Sequence, residues 1–257
     1  MTKAVLITGS TSGIGLGLAK RFAQAGFDVG LNSFEEEAAV ASVINEVAAC
    51  GSGNVEYFQA DLAKAKGSDL VEVFIEKFGR IDVLVNNAGV QKVAPVDELA
   101  ISDWERIQAI CLGAAFHTIR AALPEMKTKG QGRIINMASS HGLVASPYKS
   151  AYTAAKHGLI GLTKTVALEV AKQGITVNAI CPGYVMTPLV EKQVIDQAKV
   201  HGISEDEVKA KIMLAPQPTG AFVEIEEVAE LCYYLSTDLA RSITGTSVSI
   251  DGGWTAH

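Results

Sequence analysis

Apolar residues fall into two alternating kinds of stretch along the chain. The first kind is short: Lys3 to Thr8 (KAVLIT), Asp28 to Leu31, Val55 to Ala60, Ile81 to Val85 (IDVLV), the IINMA run from Ile134, Ile175 to Cys181 (ITVNAIC) and Thr246 to Ile250. Runs of this length without helical periodicity predict strands, and the most continuous of them suit a sheet covered on both faces. The second kind is longer and repeats every three or four positions. Ile14, Leu18, Phe22 and Ala25 form one such helix, stopped at Gly26. Val71 to Phe78, Ser102 to Met126 (with Trp104, Ile107, Ile110, Phe116 and Leu123), Ala151 to Ala171 and Glu226 to Leu235 form others. Residues 189–217 are rich in charge and helix formers and predict a helical lid. Strands alternating with helices predict one doubly wound α/β domain over residues 1–257, with a parallel sheet of about seven strands flanked by helices. No linker, repeat or low-complexity tract interrupts it.

Two places carry candidate chemistry. Between the first strand and the first helix lies Thr8-Gly9-Ser10-Thr11-Ser12-Gly13-Ile14-Gly15. Glycines let backbone approach a pyrophosphate closely, and the following helix offers free N–H groups and its positive end. A strand, this loop and a helix therefore predict a Rossmann-type dinucleotide site. In the Ala151 to Ala171 helix, Tyr152 and Lys156 stand one turn apart on the same face. A phenol titrates near 10, and an ammonium beside it is expected to bring that value down and make Tyr152 a general base. Ser139, just past the IINMA run, is placed to hydrogen-bond the same substrate oxygen.

The loop has the spacing T-G-x-x-x-G-x-G, Asn86-Asn87-Ala88-Gly89 ends the fourth strand, Ser139 precedes Tyr152 by 13 residues, and Pro182-Gly183 follows the sixth strand. In this order the motifs resemble the short-chain dehydrogenase/reductase family over nearly the whole chain. The resemblance implies that Ser139, Tyr152 and Lys156 are catalytic. It also implies a cofactor held by Thr8, Gly9, Ser10, Thr11, Gly13, Ile14, Gly15, Asn32, Phe34, Asp61, Leu62, Asn87, Gly89, Tyr152, Lys156, Pro182, Gly183, Val185 and Thr187. Cys111 departs from the family, which has an asparagine there to complete a proton relay; a thiol is the poorer hydrogen-bonding group. Homotetramers, with the Ser102 to Met126 helix in the pairing, are the family's usual state.

The second strand ends at Asn32-Ser33-Phe34, with no basic residue to receive a 2′-phosphate, and Glu35, Glu36 and Glu37 follow. This predicts NAD over NADP, although the glutamates also suit the positive first turn of a helix. Ile134 to Ser146, Lys149, Thr187 to Gln193 and the DGGWTA ending further resemble the 3-hydroxybutyrate dehydrogenase branch of the family. That resemblance implies a small hydroxy or oxo carboxylate as substrate, bound by Gln91, Ser139, His141, Lys149, Tyr152, Tyr184, Gln193 and Trp254, with Lys149 as the charge-assisted donor. Tyr184 stands where that branch usually has tryptophan, and Pro147-Tyr148 interrupts its usual loop. Two rivals stay open: an NADPH-dependent 3-oxoacyl thioester reductase, and a cofactor-binding protein whose catalysis is impaired at Cys111.

Composition narrows the partners. At 257 residues and 48% hydrophobic the chain can bury a sizeable core. A net charge of −6 offers nucleic acid or an anionic membrane no long-range attraction. The amino terminus enters a strand without a signal-peptide pattern, and no apolar run approaches the roughly 20 residues of a membrane span. Cys50, Cys111, Cys181 and Cys232 are scattered, which argues for a reducing cytoplasm and against a disulfide framework or a zinc site. The expected chemistry requires no metal.

Overall fold

A computed structural model of the chain describes residues 2–64 and 67–256. The seven strands are β1 (Ala4–Ile7), β2 (Asp28–Ser33), β3 (Val55–Gln59), β4 (Val83–Asn86), β5 (Gly132–Met137), β6 (Ile175–Pro182) and β7 (Ser247–Ile250). They form one parallel sheet in the order β3-β2-β1-β4-β5-β6-β7. Each coincides with a predicted run. β2 continues past the apolar stretch through Asn32 and Ser33, because these still pair with Phe58 and Gln59 of β3.

The helices are α1 (Gly13–Gln24), α2 (Glu37–Ala48), α3 (Gly67–Phe78), α4 (Ile101–Gln108), α5 (Ala114–Lys129), α6 (Ser150–Val170), α7 (Pro188–His201), α8 (Glu205–Val208) and α9 (Ile225–Ser236). The segment expected as one long helix is α4 and α5 joined by a π-helical turn, Ala109–Gly113, with Cys111 inside it. Residues on a strand alternate between faces, and the core divides accordingly. Val5 and Ile7 pack with Leu18, Phe22, Val228 and Cys232 on the α1/α9 side. Ala4 and Leu6 pack with Phe74, Ile119, Met126 and Val170 on the α3, α5 and α6 side.

The strand order reverses at β1, which lies between β2 and β4. At such a switch point the loops leaving the strands' carboxyl ends diverge and leave a crevice. Thr8 and Asn87 set its floor. The Thr8 hydroxyl accepts from the N–H groups of Asn87 and Ala88, both at 3.0 Å, while the Asn87 amide donates to the carbonyls of Thr8 at 3.0 Å and Gly9 at 2.9 Å. Beneath it, Asn86 donates to Asn136 (2.9 Å), Asn136 to Thr163 (2.8 Å) and Thr118 to Asn86 (2.6 Å). These buried amides and hydroxyls have partners, as burial of polar groups requires.

Gly15 touches this clamp. A Cβ there would come within 2.2 Å of the Gly9 carbonyl oxygen and 2.5 Å of the Asn87 amide nitrogen. Gly15→Ala is accordingly expected to lower stability by about 1–3 kcal/mol, the range for forcing an extra carbon into a packed site. A thermal melt matching that of the wild type would show that the loop has room.

Candidate active site

A cavity of about 670 Å³ lies over the carboxyl ends of the strands. Every sequence-predicted site residue lines it except Thr8, Ser10 and Cys111, which are buried behind the wall. Ser10 donates to the Ile7 carbonyl (2.8 Å) and accepts from Asn32 N–H (2.9 Å), so its role is to shape the loop. Ile110 also lines the cavity, although its helical spacing marked it only as a packing residue, and so does Val190, from the Thr187 to Gln193 run.

The cofactor end is narrow and glycine-walled. Gly9 and Gly13 have φ of +60° and +53°, conformations that favour glycine. A Cβ on Gly9 would lie 2.9 Å from Ala88 Cα, and one on Gly13 would reach the Thr187 methyl across the crevice at 3.4 Å. Such a cradle fits a pyrophosphate-containing cofactor. Asn32 holds the loop in place, accepting from Gly9 N–H (3.3 Å) and donating to the carbonyls of Phe58 (3.0 Å) and Ala60 (3.3 Å). One Asp61 oxygen accepts from Ala63 N–H (3.1 Å) and the other pairs with Lys64 (3.4 Å). The three glutamates separate. Glu36 and Glu37 open α2, whereas Glu35 lines the cavity and accepts from Thr11 (3.4 Å) and Ser33 (3.3 Å).

At the centre, α6 brings Tyr152 and Lys156 beside Ser139, which follows β5 in extended backbone. The sequence-based expectation for the phenol needs correcting. Lys156 Nζ donates to the Met137 carbonyl (2.6 Å) and lies 5.5 Å from the centre of the Tyr152 ring. Burial pushes the Tyr152 phenol above its ordinary value, with Ser139 pulling the other way, and burial also pushes the Lys156 ammonium down. The cost of removing charge from water outweighs the expected help from the lysine.

Cys111 is 2% exposed, and its Sγ accepts from Val90 N–H (3.4 Å) and donates to the Val90 carbonyl (3.3 Å). The thiol thus pins the chain between Gly89 and Gln91, the two neighbours of Val90 on the cavity wall. The π turn brings it there, an arrangement often found near functional sites.

The far end is built from Lys149, Tyr184, Trp254, His141, Gln91 and Gln193. Lys149 is 6% exposed and donates to the Tyr184 hydroxyl at 2.9 Å. Burial lowers its pKa to about 8. Tyr148, just before it, is the non-glycine residue with positive φ (67°) among the described residues, and its carbonyl accepts from Ala94 N–H (3.0 Å). The Tyr184 and Trp254 rings stack at 5.5 Å. The His141 ring nitrogens are directed at Ser139 (3.5 Å) and Ser146 (3.1 Å), and burial, then Lys149, lowers its pKa to about 3. His141 is therefore a neutral wall residue occupied with two serines. Gln193 Nε2 meets Gln91 Oε1 at 3.5 Å, leaving Gln91 Nε2 and Gln193 Oε1 buried without partners among the described residues.

The family profile described as short chain dehydrogenase matches residues 3–198. The chain belongs to the short-chain dehydrogenase family. It is 56% identical, over the full length of both chains, to a protein of Rhizobium meliloti named D-beta-hydroxybutyrate dehydrogenase. A Cupriavidus necator protein of the same name is 49% identical, with 99% of this chain and 98% of the relative covered. Among solved structures, an actinorhodin polyketide ketoreductase variant with NADPH matches at a TM-score of 0.93 and 33% identity, covering 100% of this chain and 98% of that one. This short-chain dehydrogenase is an oxidoreductase of a family that binds a nicotinamide cofactor.

The state of His141 has a measurable consequence. Its folded pKa of about 3 lies below the ordinary 6.5, so the unfolded chain takes up a proton first and stability falls as pH drops between those values. Comparing denaturant melts at about pH 6.5 and about pH 4.5, His141→Asn is expected to lose less stability on acidification than the wild type. Equal losses would show that His141 titrates normally.

Proposed function

We propose that the enzyme oxidises (R)-3-hydroxybutyrate to acetoacetate with NAD. The observation that carries this reading is the buried ammonium of Lys149, 6% exposed and paired only with the Tyr184 phenol among the described side chains. A buried cation without a counter-charge is costly, and a carboxylate arriving there forms the short, charge-assisted bond it lacks. The unpartnered Gln91 Nε2 supplies a second donor on the same cavity. Relatives named for the same substrate support the assignment.

With the carboxylate on Lys149 and Gln91, the hydroxyl end of a short acid is directed toward Ser139 and Tyr152. Ser139 orients the hydroxyl and Tyr152 takes its proton. Bound oxidised nicotinamide supplies the hydride acceptor and brings a positive charge into the cavity. Lys156 adds a second positive charge near the phenol and offers donors to the cofactor's ribose. The Glu35 carboxylate at the adenosine end supports NAD, because a 2′-phosphate there meets like charge.

The wider assignments follow the same reading. Four free cysteines suit a reducing cytoplasm, and no helix among the described residues is long and apolar enough to cross a membrane. Exposed Ile101, Phe116 and Leu168 on α4, α5 and α6 (77%, 49% and 82%) support subunit pairing into a homotetramer. The rival reading, an NADPH-dependent 3-oxoacyl thioester reductase, draws on the ketoreductase likeness.

Absorbance of NADH on adding (R)-3-hydroxybutyrate is the direct test, and NADPH bound more tightly than NADH would favour the thioester reductase. Tyr152→Phe is expected to reduce turnover by about 10²–10⁴-fold, the usual contribution of a positioned acid or base; undiminished turnover would remove Tyr152 from the mechanism. Because Cys111 already satisfies Val90, Cys111→Asn is expected to leave turnover near that of the wild type. A large gain would instead revive the view that catalysis is impaired there.

A further inference from the structure

We infer that Tyr184 is a positioning residue: its hydroxyl holds the Lys149 ammonium at the point in the cavity where a short carboxylate is received. This rests on the reading of Lys149 as the anion anchor and adds the group that aims it.

A lysine head sits on a flexible four-carbon stem with rotatable donors. Burial makes the search for an acceptor costly to leave unfinished. The Tyr184 oxygen, 2.9 Å away, is the side-chain acceptor that Lys149 finds. Tyr184 is itself fixed from several directions. Its ring stacks on Trp254 at 5.5 Å with 15° between the planes. Its N–H donates to the side-chain oxygen of Gln217, which is 1% exposed and anchored in turn by donating to the Ala221 carbonyl (2.7 Å). Its carbonyl accepts from Val223 N–H at 2.9 Å. The phenol oxygen is thus a rigid acceptor on a stacked ring, and the lysine's position follows from it.

The residue type matters. Tryptophan, expected at this place from the sequence resemblance, offers an N–H donor and no acceptor. A phenol fills the same kind of stacked position and also accepts from an ammonium. Phenylalanine keeps the stack and removes only the acceptor, so Tyr184→Phe isolates the hydroxyl.

The test titrates acetate, with neutral acetamide as control, into the full chain carrying NADH. The wild type is expected to prefer acetate. Tyr184→Phe is expected to weaken acetate binding about tenfold, equivalent to about 1.4 kcal/mol, with acetamide and NADH affinities retained. Adding Lys149→Ala to Tyr184→Phe should then cost less than Lys149→Ala costs alone, the signature of two groups acting together. In steady-state kinetics the Tyr184→Phe effect should fall mostly on KM for the hydroxy acid. Acetate binding unchanged in Tyr184→Phe would overturn the proposal, as would a loss shared equally by acetate, acetamide and NADH. If the wild type prefers acetate through Lys149 yet fails to oxidise (R)-3-hydroxybutyrate, the substrate assignment fails and the role of Tyr184 stands. If the wild type shows no preference for acetate, the anchor and its positioning residue fail together.

Discussion

The reciprocal clamp between Thr8 and Asn87 is the constraint on which the site depends. It binds the ends of β1 and β4 where the strand order reverses, and it uses a side chain from each loop to satisfy the other's backbone. The glycines around it leave no room for a Cβ at Gly15 and little at Gly9. The crevice above can therefore be narrow enough to hold a flat, charged cofactor between backbone walls. The polar network of Asn86, Asn136, Thr118 and Thr163 supports it from below and links β4, β5, α5 and α6. Each of these side chains is polar and buried, and each bond ties two different elements, so the site is rigid where chemistry needs precision.

Burial sets the electrostatic character of the cavity. It raises the Tyr152 and Tyr184 phenols, the latter to about 12, and lowers His141, Lys149 and Lys156. All five shifts favour the uncharged form and have the same leading cause, the cost of charge in a poorly solvated space. Such a cavity favours an arriving ion that supplies the missing counter-charge. On the proposed reading, a carboxylate would be that ion at the far end, facing Lys149. On the same reading, an oxidised nicotinamide held at the centre would add its positive charge to that of Lys156, and the competence of Tyr152 would belong to the assembled complex more than to the Tyr152–Lys156 pair alone.

Departures from the familiar pattern are absorbed locally. At Cys111 the π turn delivers a thiol to both main-chain groups of Val90. At Tyr184 a phenol provides Lys149 with an acceptor while keeping an aromatic face for Trp254. Tyr148 takes a left-handed conformation at the loop interrupted by Pro147, directly ahead of the lysine. In each case one or two neighbouring groups supply the compensation, and the sheet is undisturbed.

The linear pattern of residues was enough to determine the seven strands, the parallel doubly wound sheet and the glycine cradle, because these follow from spacing along a single element. One strand, its loop and its helix are contiguous, and so are Tyr152 and Lys156 on one helical face. The membership of the cavity was also legible, since the motifs mark the ends of strands that must meet. Tertiary structure alone decided what each side chain does there. Thr8 and Ser10 turn inward to backbone partners, His141 is engaged by Ser139 and Ser146, Lys156 faces the Met137 carbonyl, and Glu35 parts from Glu36 and Glu37. Hydrogen bonds across 22 to 79 positions of sequence, as between Ser10 and Asn32 or Thr8 and Asn87, depend on distances that no local periodicity encodes. Desolvation likewise comes from every element packed around a group, and so the pKa shifts belong to the folded whole.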